Sequence, residues 1–311
     1  MKAVVQDSYG SADVLEVREI AKPAPTDDEV LVRVHAAGVD PGVWHLMTGR
    51  PYLVRVMGYG LREPKVGIRG RDVAGRVEAI GTNVTQVQSG AEVFGIGEGS
   101  FAEYVCARPD KLAPKPANLS FEQAAAVPIS GLTALQALRD TGKLQPGQKT
   151  LIVGAAGGVG TFAVQLAKAF GAQVTGVAST TKVDLVRSIG ADEVIDYTRE
   201  DFAGGARRWD LIVDTAGRRS LSQLRRTLTR RGTLVIVGGE GGGRWLGGFD
   251  RQRLRPLVAK EQRADLLVLK ELIEAGKVTP VIDRTYPLSE VPEAIRYLEQ
   301  GHARGKVVIT V

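Results

Sequence analysis

Between Gln148 and Lys168 the chain reads Gln-Lys-Thr-Leu-Ile-Val-Gly-Ala-Ala-Gly-Gly-Val-Gly-Thr-Phe-Ala-Val-Gln-Leu-Ala-Lys. A short apolar run enters a glycine-rich turn, and the turn opens an amphipathic helix with apolar residues at Phe162, Val164, Leu166 and Ala167. That succession is where a diphosphate binds. Glycine lets the backbone turn tightly and approach phosphate without a Cβ clash, while first-turn amides and the positive end of the helix dipole face the anion. The spacing of Gly154, Gly157 and Gly160 departs from G-x-G-x-x-G, so the glycines alone are a weak signal. The strand before them and the helix after them strengthen it. The competing reading is ordinary punctuation between a strand and a helix.

A second strand pattern, Gln173-Val174-Thr175-Gly176-Val177-Ala178, follows Gly171. At its end a dinucleotide fold meets the adenosine ribose. An NAD site places Asp or Glu there, roughly twenty residues past the glycines, to take the 2′-hydroxyl. This chain has Ser179-Thr180-Thr181-Lys182 instead. No carboxylate stands there to repel a 2′-phosphate, and a hydroxyl with an ammonium would hold one. The cofactor expected on this charge argument is NADPH. A reading without ligand also stands: Thr181 caps the next helix, with Asp184 completing a capping-box-like pair.

At 311 residues the chain exceeds what one hydrophobic core usually serves, so two domains are expected. Its one cysteine, Cys106, excludes an internal disulfide and points to a reducing compartment. No apolar run approaches the ~20 residues of a membrane span. The opening Met1-Lys2-Ala3-Val4-Val5-Gln6-Asp7 lacks a signal-peptide core, so a cytoplasmic protein is expected. A net charge of +6 with a pI near 9.4 invites a nucleic-acid reading. The densest basic run, Arg225-Arg226-Thr227-Leu228-Thr229-Arg230-Arg231, reads as the end of a helix leading to Gly232. Cations there complement the helix dipole, and no aromatic residue interleaves to stack bases, which argues against nucleic acid.

Residues 1 to about 120 alternate short β-rich segments with Gly and Pro turns, among them Val30-Leu31-Val32-Arg33-Val34-His35, Val73–Ile80 and Glu92-Val93-Phe94-Gly95. A mostly antiparallel, barrel-like domain is expected from them. From Ser120 the rhythm changes. Strands are predicted at 150–153, 173–178, 193–195, 210–214 and 233–237, and helices at 121–126, 130–140, 159–170, 181–189 and 219–230. Repeating βαβ units imply a parallel, doubly wound sheet. A helix near 263–275 follows, and Val281-Ile282-Asp283 and Lys306-Val307-Val308-Ile309 read as strands returning to the first domain.

These residues together resemble the medium-chain dehydrogenase/reductase superfamily, in its zinc-independent quinone oxidoreductase branch. The likeness runs from end to end through Met1–Val5, Gly70-Arg71-Asp72-Val73-Ala74-Gly75, Ala124-Ala125-Ala126-Val127-Pro128, Gly131-Leu132-Thr133-Ala134, the 147–168 segment, Gly190-Ala191-Asp192 and Gly305-Lys306-Val307-Val308. It implies an α/β protein: a GroES-like β-rich catalytic domain over 1–120, a Rossmann domain over 121–262 and a C-terminal segment, 263–311, that rejoins the catalytic domain. Zinc-dependent relatives bind their catalytic metal with cysteine, histidine and often glutamate. Where their first cysteine stands this chain has Asp40, and where they have Gly-His-Glu it has Gly70-Arg71-Asp72. With one cysteine and only His35, His45 and His302, no tetrahedral Cys/His site can be assembled at the usual spacings, so no metal is expected.

By the same resemblance, the cofactor contacts fall on Thr133 beside the nicotinamide, on Gly157, Gly158 and Val159 at the diphosphate, and on Ser179 and Lys182 at the 2′-phosphate. Tyr197 falls along the adenosine side, and Val237 with Gly238 near the carboxamide. Packing is the alternative for Thr133, Val159, Tyr197 and Gly238. The segment from Gly38 to Tyr52 resembles the family's cleft-lining loop. Asp40 either orients the nicotinamide ribose or a water, or caps the turn before Pro41. His45 either donates a proton to the reduced acceptor or packs on the loop. Tyr52 and Tyr59 either shape an aromatic pocket or pack in the loop. The activity implied is hydride transfer from NADPH to a quinone, enone or enal. A 2-enoyl thioester reductase, an alcohol dehydrogenase-like enzyme and a non-catalytic NADPH sensor or RNA-binding relative are the alternatives. In the family, the region around Thr233–Val237 and the following Gly238–Gly243, Trp245 and Leu246 pairs strand edges across a two-fold axis, which implies a homodimer.

Overall fold

The computed structural model describes residues 1–52, 54–237 and 253–311. They form two compact units, Met1–Ile129 with Glu261–Glu274 and Pro280–Val311, and Ser130–Lys260 with Ala275–Thr279.

The first unit is GroES-like and built around Val30–Val39, whose alternation buries Val30, Val32 and Val34 and leaves Arg33 exposed. Its seven-stranded sheet runs Ile282–Pro287, Lys306–Thr310, Val30–Val39, Asp72–Ile80, Glu92–Ile96 and Leu112–Pro114, with Tyr104–Ala107 also paired to Val30–Val39. Most pairings are antiparallel, as the turn-rich pattern predicts. The two C-terminal strands do return here, and they run parallel to each other. Val32, Val34, Phe101, Leu112, Val307 and Ile309 belong to one buried apolar cluster. Burying such side chains stabilises a fold by about 1.5–3 kcal/mol each relative to exposure.

The second unit is a Rossmann fold. Six parallel strands lie in the order Glu193–Asp196, Gln173–Ala178, Lys149–Val153, Trp209–Asp214, Leu228–Val237 and Arg253–Leu257. In chain order this is 3-2-1-4-5-6, and the order reverses beside Lys149–Val153. The strands there carry continuous apolar runs because helices cover both faces of a doubly wound sheet. Leu151, Ile152, Ile212 and Leu234 are accordingly buried.

Two expectations need correction here. The helix predicted at 219–230 spans only Leu221–Arg226, opened by a Ser220/Gln223 capping box. Arg230 and Arg231 are exposed residues of the strand Leu228–Val237, so the basic run is divided between two elements. Its cause is tertiary: Trp209 pairs with Leu228 while Leu211 pairs with Thr233, and the residues between are taken up by an irregularity at the strand's start. The strand Thr233–Val237 is also no sheet edge. It is paired on both sides, and the edge falls on Arg253–Leu257. The glycine run, Trp245 and Leu246 lie outside the described residues. Among the described residues no helix is long and apolar enough to cross a membrane.

Candidate functional site

The nucleotide cradle sits at the carboxyl end of Lys149–Val153. Gly154 has φ 81°, in the left-handed region, and a Cβ on it would lie 2.6 Å from Thr215 Oγ1. A Cβ on Gly160 would lie 2.1 Å from the Gly154 carbonyl oxygen, so helix Gly158–Ala169 approaches the turn as only glycine allows. Gly157 is the helix N-cap, and no side chain caps that end. A Cβ there would meet only the Gly154 oxygen at 3.5 Å, which leaves the approach to the first-turn amides clear. Gly157, Gly158 and Val159 are half-buried, whereas Thr133 is buried in helix Pro128–Gln136. This cradle fits a dinucleotide diphosphate.

One strand over, Ser179 is the N-cap of a turn of 3₁₀ helix, Thr180–Lys182, whose last residue is Lys182, and both are half-buried. Helix Val183–Ser188 begins at Lys182 with no side-chain cap, so the Thr181/Asp184 capping reading is not realised. The Tyr197 amide donates to the Ala178 carbonyl at 3.1 Å, which brings this 48% exposed ring to the strand end that Ser179 follows. Val237 ends its strand half-buried, and Gly238 lies outside the described residues.

Sequence reasoning missed two carboxylates in this unit. Asp196 accepts from Thr180 Oγ1 at 2.6 Å and from Thr198 Oγ1 at 2.7 Å. The Thr180 hydroxyl, with Thr198 assisting against slight desolvation, holds that carboxyl below its usual range. Asp196 thereby fixes the turn that carries Ser179 and Lys182. The sheet register, Asp196 opposite Ala178, brings it there, and no local pattern signals that. Asp214 is fully buried at the end of its strand and accepts from the amides of Ala216 and Gly217 at 3.2 and 3.0 Å. It shapes the turn whose Thr215 packs on Gly154.

In the first unit Asp40 is the N-cap of helix Pro41–Thr48. Its Oδ1 accepts from the Gly42 amide at 2.6 Å, so the capping role is present, while its buried Oδ2 has no partner. His45 Nδ1 lies 2.8 Å from the Arg50 carbonyl oxygen and must donate to it, which leaves Nε2 as its other nitrogen. Tyr52 is 68% exposed and lies against the Arg55 guanidinium, 4.9 Å from ring centre to Cζ. Tyr59, not Tyr52, lines a cavity beside Arg71.

A zinc ion does not fit this unit. Arg71, at the family's histidine position, has no lone pair to give. Asp72 is committed to Lys306 and the Ile129 amide. His35 stacks on Phe121 at 4.2 Å between ring centres. Among the described residues no group of three His, Cys, Asp or Glu side chains is placed to hold a metal.

The comparisons with known proteins agree with this anatomy. Residues 26–117 match the alcohol dehydrogenase GroES-like domain, and 189–309 match a family described as zinc-binding dehydrogenase. The chain is 36% identical over 324 residues to a 2-methylene-furan-3-one reductase of Solanum lycopersicum, covering 99% of this chain and 79% of that protein. It is 35% identical over 325 residues to a chloroplastic NADPH-dependent alkenal/one oxidoreductase of Arabidopsis thaliana, with 99% and 79% covered. The quinone oxidoreductase from Coxiella burnetii superimposes with a TM-score of 0.90 at 33% identity, over 100% of this chain and 99% of that one. The shared domains, the nucleotide cradle and these relatives place the chain in the medium-chain dehydrogenase/reductase superfamily, in its quinone oxidoreductase branch, as an oxidoreductase using a nicotinamide cofactor.

Proposed function

We propose that this protein is a zinc-independent, NADPH-dependent reductase of quinones, enones or enals. The observation that carries the reading is a glycine turn shaped to fit a dinucleotide diphosphate, in a chain whose Gly70-Arg71-Asp72 turn offers no metal ligand set among the described residues. Without a Lewis acid there is nothing to lower an alcohol's pKa, so the chemistry favours an acceptor that is electrophilic already. When bound, the nicotinamide supplies the hydride. Gly157, Gly158 and Val159 hold the diphosphate, and Thr133 and Val237 with Gly238 border the nicotinamide. Ser179 and Lys182 bind the 2′-phosphate, and Tyr197 covers the adenosine. The relatives named for an alkenal/one and a methylene-furanone, both conjugated carbonyl compounds, support the acceptor class.

Asp40 Oδ2 is assigned to a ligand hydroxyl or water, since it is the oxygen that capping leaves over. His45 Nδ1 holds the Arg50 carbonyl and Nε2 is the atom that would carry a proton, but we assign proton delivery to solvent, because acceptors such as quinones are protonated readily once reduced. Tyr52 is too exposed to shape a dry site, and Tyr59 takes its place in this reading. For assembly, the edge Arg253–Leu257, with Pro256 in the strand, is the segment through which two copies would pair, and light scattering reporting monomers at micromolar concentration would remove the homodimer. Oxidation of NADPH against a panel of benzoquinones, alkyl vinyl ketones, alkenals and enoyl thioesters tests the function, and silence across the first three classes would refute it.

A further inference from the structure

Gly70 has φ 93°, and the turn it makes sends Arg69 and Arg71 to one small cavity that Tyr59, Val43 and Ile68 also line. The room inside is about 20 Å³, enough for one water-sized group. Arg69 is only 4% exposed, yet its Nε and Nη2 are buried without a hydrogen-bond partner. Arg71 Nε is buried and unpartnered as well. Glu261 holds Arg71 by Nη2, and Lys111 shares that carboxylate at 2.8 Å, so the guanidinium is anchored at one end while Nε is left over. Glu98 borders the cavity but is exposed.

A guanidinium has donors and no acceptor. Buried, charged donors without acceptors are costly, so these atoms call for an acceptor. An oxygen of one-water size, carrying or gaining negative charge, is the kind of acceptor these donors lack. We propose that this cavity seats the carbonyl oxygen of the acceptor, with Arg69 and Arg71 as the donors that stabilise the charge it gains; the inference rests on the reductase reading above. Hydride from the reduced nicotinamide brings its electron pair to the conjugated carbon. The C=C pair shifts toward the carbonyl carbon, the C=O pair moves onto oxygen, and an enolate results. In this step the enone would be reduced at the expense of a bound reduced nicotinamide, and the enolate's α-carbon would take its proton from water. The arginines give up no proton. Fixed donors aimed at the developing charge do the electrophilic work that the metal does in zinc-dependent relatives.

The test is steady-state kinetics with NADPH and methyl propenyl ketone on wild type, Arg69→Met and Arg71→Lys, the latter keeping a cation for Glu261. Each variant is expected to lose about 10²-fold or more in kcat/KM, the usual cost of an oxyanion donor, with NADPH affinity and melting temperature near wild type. Folded, NADPH-binding variants that reduce the ketone as fast as wild type would overturn the oxygen seat alone. A wild type that reduces no enone or quinone would instead fail the reductase reading and this inference with it. If a variant unfolds, the wild type decides: butyrate, an anion of the ketone's size, is expected to inhibit competitively and butanone much more weakly. Equal inhibition by the two, or none by butyrate, would overturn the proposal.

Discussion

Lys306 Nζ lies 2.9 Å from Asp72 Oδ2, with the two side chains 2% and 0% exposed, and so ties the last strand of the chain to the strand that follows the Gly70 turn. The second carboxylate oxygen accepts from the Ile129 amide at 2.8 Å. A Cβ on Gly38 would lie 2.5 Å from Asp72 Oδ2, so the neighbouring backbone closes over the pair. Removing one partner leaves the other charge buried and uncompensated. Lys306→Met is therefore expected to destabilise the protein by about 3–5 kcal/mol, and the double variant with Asp72→Asn to recover much of the loss. Denaturation of the single and double variants checks this, and additive losses would contradict it.

Cofactor choice is expected to depend on Lys182. If it and Ser179 hold the 2′-phosphate, Lys182→Ala weakens NADPH binding by about 1.5–3 kcal/mol, the range for hydrogen bonds to charged groups, and leaves NADH nearly unchanged. Fluorescence titration with both nucleotides reads the difference. Equal losses would leave the lysine a structural role only.

The strand, glycine turn and helix at 148–168 were legible because each is set by local periodicity and by the backbone freedom of glycine. The turn Ser179–Lys182 could be found by counting from those glycines. Asp196 could not, because only the register between two strands brings it to Thr180. Lys306 and Asp72 meet across 234 residues of sequence, with no local signal at either end. The Arg225–Arg231 run misled for the opposite reason. Its arginines suit a helix locally, but pairing with Trp209–Asp214 draws Leu228–Val237 into the sheet.

His35 supplies a pH dependence. Its ring is stacked on Phe121, and burial, with Arg33 and Arg76 adding repulsion, pushes its pKa below 6.5. The folded protein therefore resists a proton that the unfolded chain accepts. The stability from neutral His35 is full above the unfolded pKa and declines as pH falls through it. Melting temperatures from pH ~8 to ~5 should fall less steeply in His35→Gln than in wild type, since the ordinary histidine pKa lies inside that window. Parallel slopes would remove His35 as the cause.

Proton delivery by solvent sets the outcome for His45. His45→Gln is expected to lower turnover by less than about tenfold, whereas loss of a general acid costs ~10²–10⁴-fold. A loss of about 10²-fold or more in the variant, with NADPH affinity unchanged, would assign the proton to His45 instead.

If hydride passes from NADPH to an electrophilic acceptor without zinc, the purified protein should hold far less than one zinc per chain. Metal analysis, coupled to NADPH-dependent reduction of an enone before and after exhaustive chelation, should then find the same rate on both sides of the treatment. Stoichiometric zinc, with activity lost on its removal and restored on its return, would contradict it.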